Sequence, residues 1–247
     1  MNKKKSNLIA FAVLAPGLLL GRLLNAASHG VAQTSQAPYP SMAPLAQYLM
    51  PDRNDEIQLS KSAAPAAVSD HAEVLILTAH GYESAVHGSN GFVCLVERAW
   101  MSPFDSPEFW NWKLRGPICF NPESARSVLP LTYKRTDMVL AGLSKAQIIA
   151  GLKDAEDKKQ LPAIEAGAMA FMMSRQQYLG DKFGQAIPHL MLYSAKSEGA
   201  DWGEDLPNSP VMLNTQFEGS AEPLRGYIVP VSNWSDGTPA ASGAHKH

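Results

Sequence analysis

Two apolar runs and the only two cysteines of the chain, all between Glu73 and Phe120, constrain the fold more than any other feature. The runs EVLILT and GFVCLVERAW have the composition of strands, and a polar connection, HGYESAVHGSN, separates them. We therefore predict an antiparallel hairpin with an attached aromatic loop. Cys94 and Cys119 stand 25 positions apart, and we predict that they form a disulfide; two separately buried thiols are the alternative.

Residues 1–32 have the organisation of a signal peptide. A basic start, MNKKKSN, precedes an apolar run at 8–20, and small residues follow at 25–32. The apolar run is shorter than the about 20 residues that a membrane-spanning helix needs. We predict cleavage and no stable membrane insertion afterwards, with an uncleaved anchor as the alternative. The predicted location is periplasmic or secreted, where a disulfide is stable.

The charge of the mature chain argues against nucleic-acid binding. The sequence has 21 basic and 23 acidic residues, and loss of Lys3, Lys4, Lys5 and Arg22 with the signal peptide leaves 17 basic residues. The formal charge then becomes about −6, without a basic stripe. We therefore predict no nucleic-acid partner, and the sequence identifies no other partner.

Composition divides the rest of the chain into a linker, one domain and a tail. Residues 33–44 are predicted to be a flexible linker, 45–234 a single globular domain and 235–247 a disordered tail. The fold class is predicted to be α+β, with a mainly antiparallel sheet of about five strands and helices packed on one side. Beyond the hairpin, helices are predicted at 52–64, from Asn121 onward, at 131–143, and after a capping box formed by Ser144 and Gln147. Strands are predicted at 167–174, 188–194, 211–213 and 227–231.

Glu97 lies at the end of the second apolar run and is the first candidate for chemistry. Strand alternation places it on the same face as Val93 and Leu95. A buried carboxylate must be paired or have its pKa raised, so Glu97 is a candidate general acid or base in a cleft. The alternative is a carboxylate near the strand end that reaches solvent or pairs with Arg98 or Arg115.

The loop at 100–117 is unusually aromatic. Its candidate ligand-binding residues are Trp100, Phe104, Trp110 and Trp112, because aromatic rings stack on sugars and other planar ligands. The alternative is a lid whose rings fold onto the core, where each buries a large apolar area.

The remaining catalytic candidates are His80, Glu83, His87 and His189. Imidazole and carboxylate groups that converge from two hairpins could bind zinc, but their spacing matches no established motif. We therefore predict no metal and no cofactor. The sequence also lacks the GxSxG, SxxK, HExxH, P-loop and GxGxxG motifs of common hydrolases and nucleotide-binding proteins.

Five phrases, GSNGFVCLVERAW, GPICFNP, AGLSKAQII, GAMAFMMS and PHLMLY, resemble those of a group of uncharacterised exported bacterial proteins. The similarity spans residues 42–237. The resemblance implies export and a shared fold, and it provides no activity, cofactor or functional residue.

Two functions from different classes remain. We predict a non-catalytic envelope or extracellular module that binds a ligand or partner through the aromatic loop. The alternative is a secreted hydrolase or metal-dependent enzyme that uses the region of His80, His87 and His189.

Overall fold

The fold is built on one mixed sheet of eight strands, seen in a computed structural model that describes residues 38–182, 184–196, 202–214, 217 and 222–240. The strands are β1 (Glu73–Thr78), β2 (Gly81–Val86), β3 (Val93–Glu97), β4 (Gly116–Phe120), β5 (Met169–Met172), β6 (His189–Ala195), β7 (Met212–Asn214) and β8 (Leu224–Pro230). Their order in the sheet is β2-β1-β3-β4-β5-β6-β8-β7. Neighbouring strands are antiparallel except for β1 and β3, which run parallel.

Five α-helices accompany the sheet in the described part of the chain, which confirms the α+β class. They are α1 (Arg53–Lys61), α2 (Ala66–Ser69), α3 (Pro122–Ser127), α4 (Leu129–Leu140) and α5 (Lys145–Asp157), with 3₁₀ turns at Leu45–Gln47 and Ala99–Met101. Polar caps set where the helices begin: Asp52 caps α1, Asn121 caps α3, and Ser144 with Gln147 forms the predicted capping box of α5. None of the described helices is both long enough and apolar enough to cross a membrane.

The predicted antiparallel hairpin between the two apolar runs is wrong, because the runs pair as parallel neighbours. Glu73 of β1 lies beside Val93 of β3, and β2 forms within the polar connection and pairs antiparallel with β1. Gly81, with a φ of 117°, allows the chain to reverse shortly after Thr78. β2 is an edge strand that exposes Glu83, so its polar sequence gives little sign of a strand.

The sheet has more strands than the about five predicted, and helical segments cover both of its faces rather than one. The strands at its two edges are the polar β2 and the three-residue β7, both difficult to recognise from sequence. Helices α4 and α5 contribute to the main hydrophobic cluster, which contains Val93 and Leu95. Ala63 and Ala64, which follow α1, pack against Cys94 on the opposite face. Both faces of β3 are apolar, so both need cover.

The predicted disulfide is confirmed. Cys94 and Cys119 are directly paired residues of the neighbouring strands β3 and β4, and their sulfurs form a bond. A small apolar cluster surrounds the bond, formed by Ala63, Ala64 and Ala72 together with the partly buried Val68, Phe92 and Phe171. The disulfide therefore belongs to the face of the sheet opposite the main cluster.

The second predicted hairpin is confirmed as the antiparallel pair β5 and β6. Along β6, His189, Met191 and Tyr193 are buried, whereas Leu190 and Leu192 between them remain partly exposed. This alternation directs three side chains of one strand to the same side of the sheet.

The amino-terminal boundary of the domain lies earlier than predicted. The described residues, from 38 onward, belong to one compact unit. Tyr39 and Met42 pack against the main hydrophobic cluster, so part of the expected flexible linker, 33–44, is attached to the domain. The signal peptide predicted for 1–32 lies outside the described residues.

The carboxy-terminal boundary lies later than predicted. The Ser235 hydroxyl donates a hydrogen bond to the carbonyl oxygen of Ser62 at 2.6 Å. The backbone N–H of Ala240 donates to the carbonyl of Ser232 at 2.8 Å. The first six residues of the expected tail, 235–247, therefore contact the domain, and the remainder lies outside the described residues.

Reduction of the disulfide should lower the free energy of unfolding by about 3 kcal/mol, because the unfolded chain regains the entropy of the loop that the bond closes. Urea denaturation with and without dithiothreitol measures the loss. A C94A/C119A double variant is the control, since reductant should leave its stability unchanged. Equal stability of the oxidised and reduced wild-type protein would contradict this account.

Candidate functional site

A cavity of about 520 Å³ lies within the main hydrophobic cluster, on the face of the sheet opposite the disulfide. It reaches solvent beside Pro107 and Lys182, the two exposed residues of its lining. A volume of this size is typical of sites that enclose small molecules. Most of the lining is apolar and includes Ile118, Leu131, Met172, Met191, Phe217 and Leu224.

Glu97, at the end of β3, lines this cavity and makes one weak polar contact. Its Oε1 accepts a hydrogen bond from Thr132 Oγ1, on α4, at 3.5 Å. Burial raises the pKa of Glu97 to about 7, outweighing the opposite effects of the nearby Arg135 guanidinium and the Thr132 hydroxyl. A carboxyl group with a pKa near neutrality holds or releases its proton within the physiological range, as functional carboxylates often do.

Two further polar groups of the cavity come from β6. His189 Nδ1 lies 2.7 Å from the carbonyl oxygen of Ile187, so the neutral imidazole donates through Nδ1 and keeps Nε2 as an acceptor. Burial lowers the pKa of His189 and raises the pKa of Tyr193 well above its ordinary value. Among the residues that the structure describes, neither His189 Nε2 nor the Tyr193 hydroxyl has a hydrogen-bond partner.

A fully buried ion pair joins the walls of the cavity. Arg135, on α4, donates from Nε and Nη2 to the two carboxylate oxygens of Glu222, and both side chains are 0% exposed. Arg135 Nη1 also donates to the carbonyl oxygens of Trp100 and Ser102, at 2.8 and 3.0 Å. The guanidinium is therefore neutralised and hydrogen-bonded through all three of its nitrogens.

A second buried ion pair satisfies Arg98, which lines the cavity. Arg98 donates from Nη2 to Glu56 Oε1 at 2.7 Å and from Nε to the carbonyl oxygen of Tyr48 at 2.7 Å. Glu56 also accepts from the backbone N–H of Leu77 at 3.1 Å. The pair attaches α1 to the ends of β1 and β3 on the buried side of the domain.

The edge of the cavity is held by Glu108, from the aromatic loop. Its carboxylate accepts hydrogen bonds from the backbone N–H groups of Asp181 and Lys182, at 2.6 and 3.0 Å. The same carboxylate accepts from Asn111 Nδ2 at 2.9 Å. Glu108 therefore connects the aromatic loop to the segment that precedes β6, and both segments line the cavity.

The structure separates the catalytic candidates into two groups. His80, Glu83 and His87 are exposed on the β1–β2 hairpin, at one edge of the sheet. Glu97 and His189 line the cavity. Four strands separate β2 from β6, so the three histidines do not converge. The described residues contain no group of three or more His, Cys, Asp or Glu side chains that could hold a metal ion.

The rings of the aromatic loop stay out of the cavity lining, and all of them except Trp112 pack on the core. Trp100 is fully buried, and its Nε1 donates to Thr136 Oγ1 at 3.1 Å. Trp110 is buried, Phe104 is partly buried, and Trp112 is 38% exposed. Polar and proline residues of the loop line the cavity instead, namely Ser102, Pro103, Ser106, Pro107 and Glu108.

Sequence reasoning identified Glu97 and His189 but missed Tyr193, Thr132 and Arg135. A signal for Tyr193 was present, because it shares an alternating strand face with His189. Thr132 and Arg135 lie three residues apart on α4 and therefore on one side of that helix. The sequence does not show that this side meets Glu97.

No protein-family model, curated protein or solved structure matches this chain. The function therefore has to be inferred from the cavity and the chemistry of its lining.

Replacing Glu97 with Gln should change how stability depends on pH. Between pH 4.5, the ordinary pKa of a glutamate, and pH 7, the unfolded chain ionises while folded Glu97 keeps its proton. The free energy of unfolding of the wild-type protein should therefore fall by about 3 kcal/mol relative to Glu97→Gln across this range.

Urea denaturation of both proteins at several pH values measures this difference, and subtraction removes the contribution of His189. The exposed Glu83→Gln variant is the matched control and should follow the wild-type profile. Parallel profiles for wild type and Glu97→Gln would show that Glu97 does not titrate in this range.

Replacing Arg135 with Met should lower the free energy of unfolding by about 3–5 kcal/mol, because Glu222 would lose the buried cation that neutralises it. Arg126 offers a matched comparison, since it pairs with Glu165 at the surface. Arg126→Met should cost less than about 1 kcal/mol. Chemical denaturation measures the free energy of unfolding of both variants. Losses of similar size would contradict the expectation that the buried ion pair matters more for stability than the surface pair.

Proposed function

We propose that this chain is an exported, non-catalytic binding protein whose cavity takes one small ligand with a mainly apolar body. The observation that supports the proposal is a mainly apolar cavity of about 520 Å³ whose polar groups include those of Glu97, His189 and Tyr193. Native cores contain few voids larger than a water molecule, so a cavity of this size within the core indicates a use. Apolar walls with a few convergent polar groups are typical of small-molecule sites.

Export is supported by the disulfide between Cys94 and Cys119, since such bonds persist in oxidising compartments. The basic and apolar start of the sequence agrees with it. Binding in a periplasmic or extracellular compartment is therefore the setting that we propose. The aromatic loop takes part through lining residues such as Ser102, Pro107 and Glu108, whereas Trp100 and Trp110 pack in the main hydrophobic cluster.

The alternative of a secreted hydrolase retains one supporting observation, because Glu97 has the pKa of a general acid or base and shares the cavity with His189. A nucleophilic mechanism would also need a hydroxyl beside a base. The Thr132 hydroxyl contacts Glu97 only at 3.5 Å, the long limit of a hydrogen bond. Ser102 and Ser106 are the serines of the lining, and neither is hydrogen-bonded to Glu97 or His189. The geometry therefore favours binding over catalysis.

Titration with N-phenyl-1-naphthylamine, a neutral apolar fluorophore, tests the proposal. The emission of the fluorophore should rise in a saturable manner with one site per chain. Met191→Trp places a larger side chain in the cavity and should weaken binding at least about tenfold.

Leu190→Trp is the matched control, because residue 190 lies on the other face of the same strand and outside the cavity lining. Circular dichroism confirms that both variants are folded. Absence of saturable binding, or equal binding by the two variants, would contradict a ligand site in this cavity.

A further inference from the structure

Glu97 is the charged group of the cavity that its protein neighbours leave least satisfied. Arg98 is paired with Glu56, and the Glu108 carboxylate accepts three hydrogen bonds. Lys182 lies at the exposed edge, where water screens its charge. Glu97 has the Thr132 hydroxyl at 3.5 Å, which is the long limit of a hydrogen bond.

The Arg135 guanidinium, which favours the ionised form of Glu97, is already fully engaged with other partners. Arg135 uses Nε and Nη2 for Glu222 and Nη1 for two backbone carbonyls, so every guanidinium nitrogen already has a partner. Rotation towards Glu97 would remove the cation from a fully buried carboxylate, which costs several kcal/mol in proteins generally. In the part of the chain that the structure describes, the guanidinium groups of Arg98 and Arg135 are therefore both engaged elsewhere, and a bound ligand is the source of a cation for Glu97 that we consider.

We propose that the ligand carries a protonated amine, which pairs with Glu97 while its hydrocarbon body fills the apolar part of the cavity. This inference rests on the proposed binding function and specifies the class of ligand. An ammonium group has three donors, and Glu97 and the Tyr193 hydroxyl supply acceptors in the same cavity. An anionic ligand would instead place a second negative charge close to Glu97 in a medium that screens charge poorly.

The pairing makes binding depend on pH. Burial raises the pKa of Glu97 to about 7, so below neutrality an arriving ammonium ion must displace the carboxyl proton to solvent. The titratable and charged groups around this cavity are the ion pairs Arg135–Glu222 and Arg98–Glu56, the lining residues Glu108, Lys182 and His189, and the tyrosines Tyr82 and Tyr193. Burial raises the pKa of both tyrosines and lowers the pKa of His189, so all three stay neutral around pH 7.

The test uses three eight-carbon ligands that differ in their polar group: octylamine, octan-1-ol and octanoate. Each competes with bound N-phenyl-1-naphthylamine, on the wild-type protein and on Glu97→Gln. On the wild type at pH 7.5, octylamine should bind at least about tenfold more tightly than octan-1-ol, and octanoate should bind most weakly. Glu97→Gln should lose the preference for the amine and keep the affinity for the alcohol.

A second arm compares ligand binding at two pH values. The affinity of the wild type for octylamine should fall by about 20-fold from pH 7.5 to pH 5.5, as the ionised fraction of Glu97 falls, whereas octan-1-ol should bind equally at both. The Glu83→Gln variant is the surface control and should behave as the wild type.

The possible failures are distinguishable. Octan-1-ol binding as tightly as octylamine, or an amine preference that persists in Glu97→Gln, would overturn the amine inference and leave the binding function standing. Failure of the fluorophore and of all three ligands to bind would overturn the binding function itself, and the amine inference with it.

Discussion

The buried ion pair between Arg135 and Glu222 is the interaction on which the cavity depends. A guanidinium in the interior is tolerated when its charge is neutralised and its donors are satisfied. Glu222 supplies the charge, and the carbonyls of Trp100 and Ser102 accept the remaining donors. This one side chain thereby holds α4, the start of the aromatic loop and the segment before β8 together. Thr132 of α4, Ser102 of the aromatic loop and Leu224 at the start of β8 all line the cavity, so the pair holds together the segments that carry these parts of its walls.

The two faces of the sheet are packed differently. On the face of Cys94, alanines and the disulfide allow segments to approach closely, and the packing is that of an ordinary core. The face of Val93 and Leu95 carries larger side chains, and the helices that cover it leave a space open to solvent at one side. A strand that separates a closely packed face from a cavity can support a ligand site on a rigid base, because the packed face restrains its backbone.

The features that could be predicted from the sequence are those set by neighbours along the chain. The capping box at Ser144 depends on a residue three positions away, and the faces of β3 and β6 follow from strict alternation. Glu97 was found in this way, whereas His189 was a candidate only as one of several imidazoles that could converge on a zinc ion. The pairing of Arg135 with Glu222 joins residues 87 positions apart, so no local sequence pattern predicts it. The parallel pairing of β1 with β3 was hidden because the intervening β2 is an exposed edge strand, whose polar side chains are typical of a loop.

The crosslink between β3 and β4 has a bearing on Glu97, although it lies on the other side of the sheet. Side chains alternate along a strand, so a slip of one residue between two strands would turn every side chain of one of them to the opposite face. Such a slip would remove Glu97 from the cavity and bury it among alanines and phenylalanines. The covalent link at Cys94, three residues before Glu97, forbids that slip. Oxidation of two sulfurs thus ensures that an acidic group remains on the side of the sheet where it can meet a guest molecule.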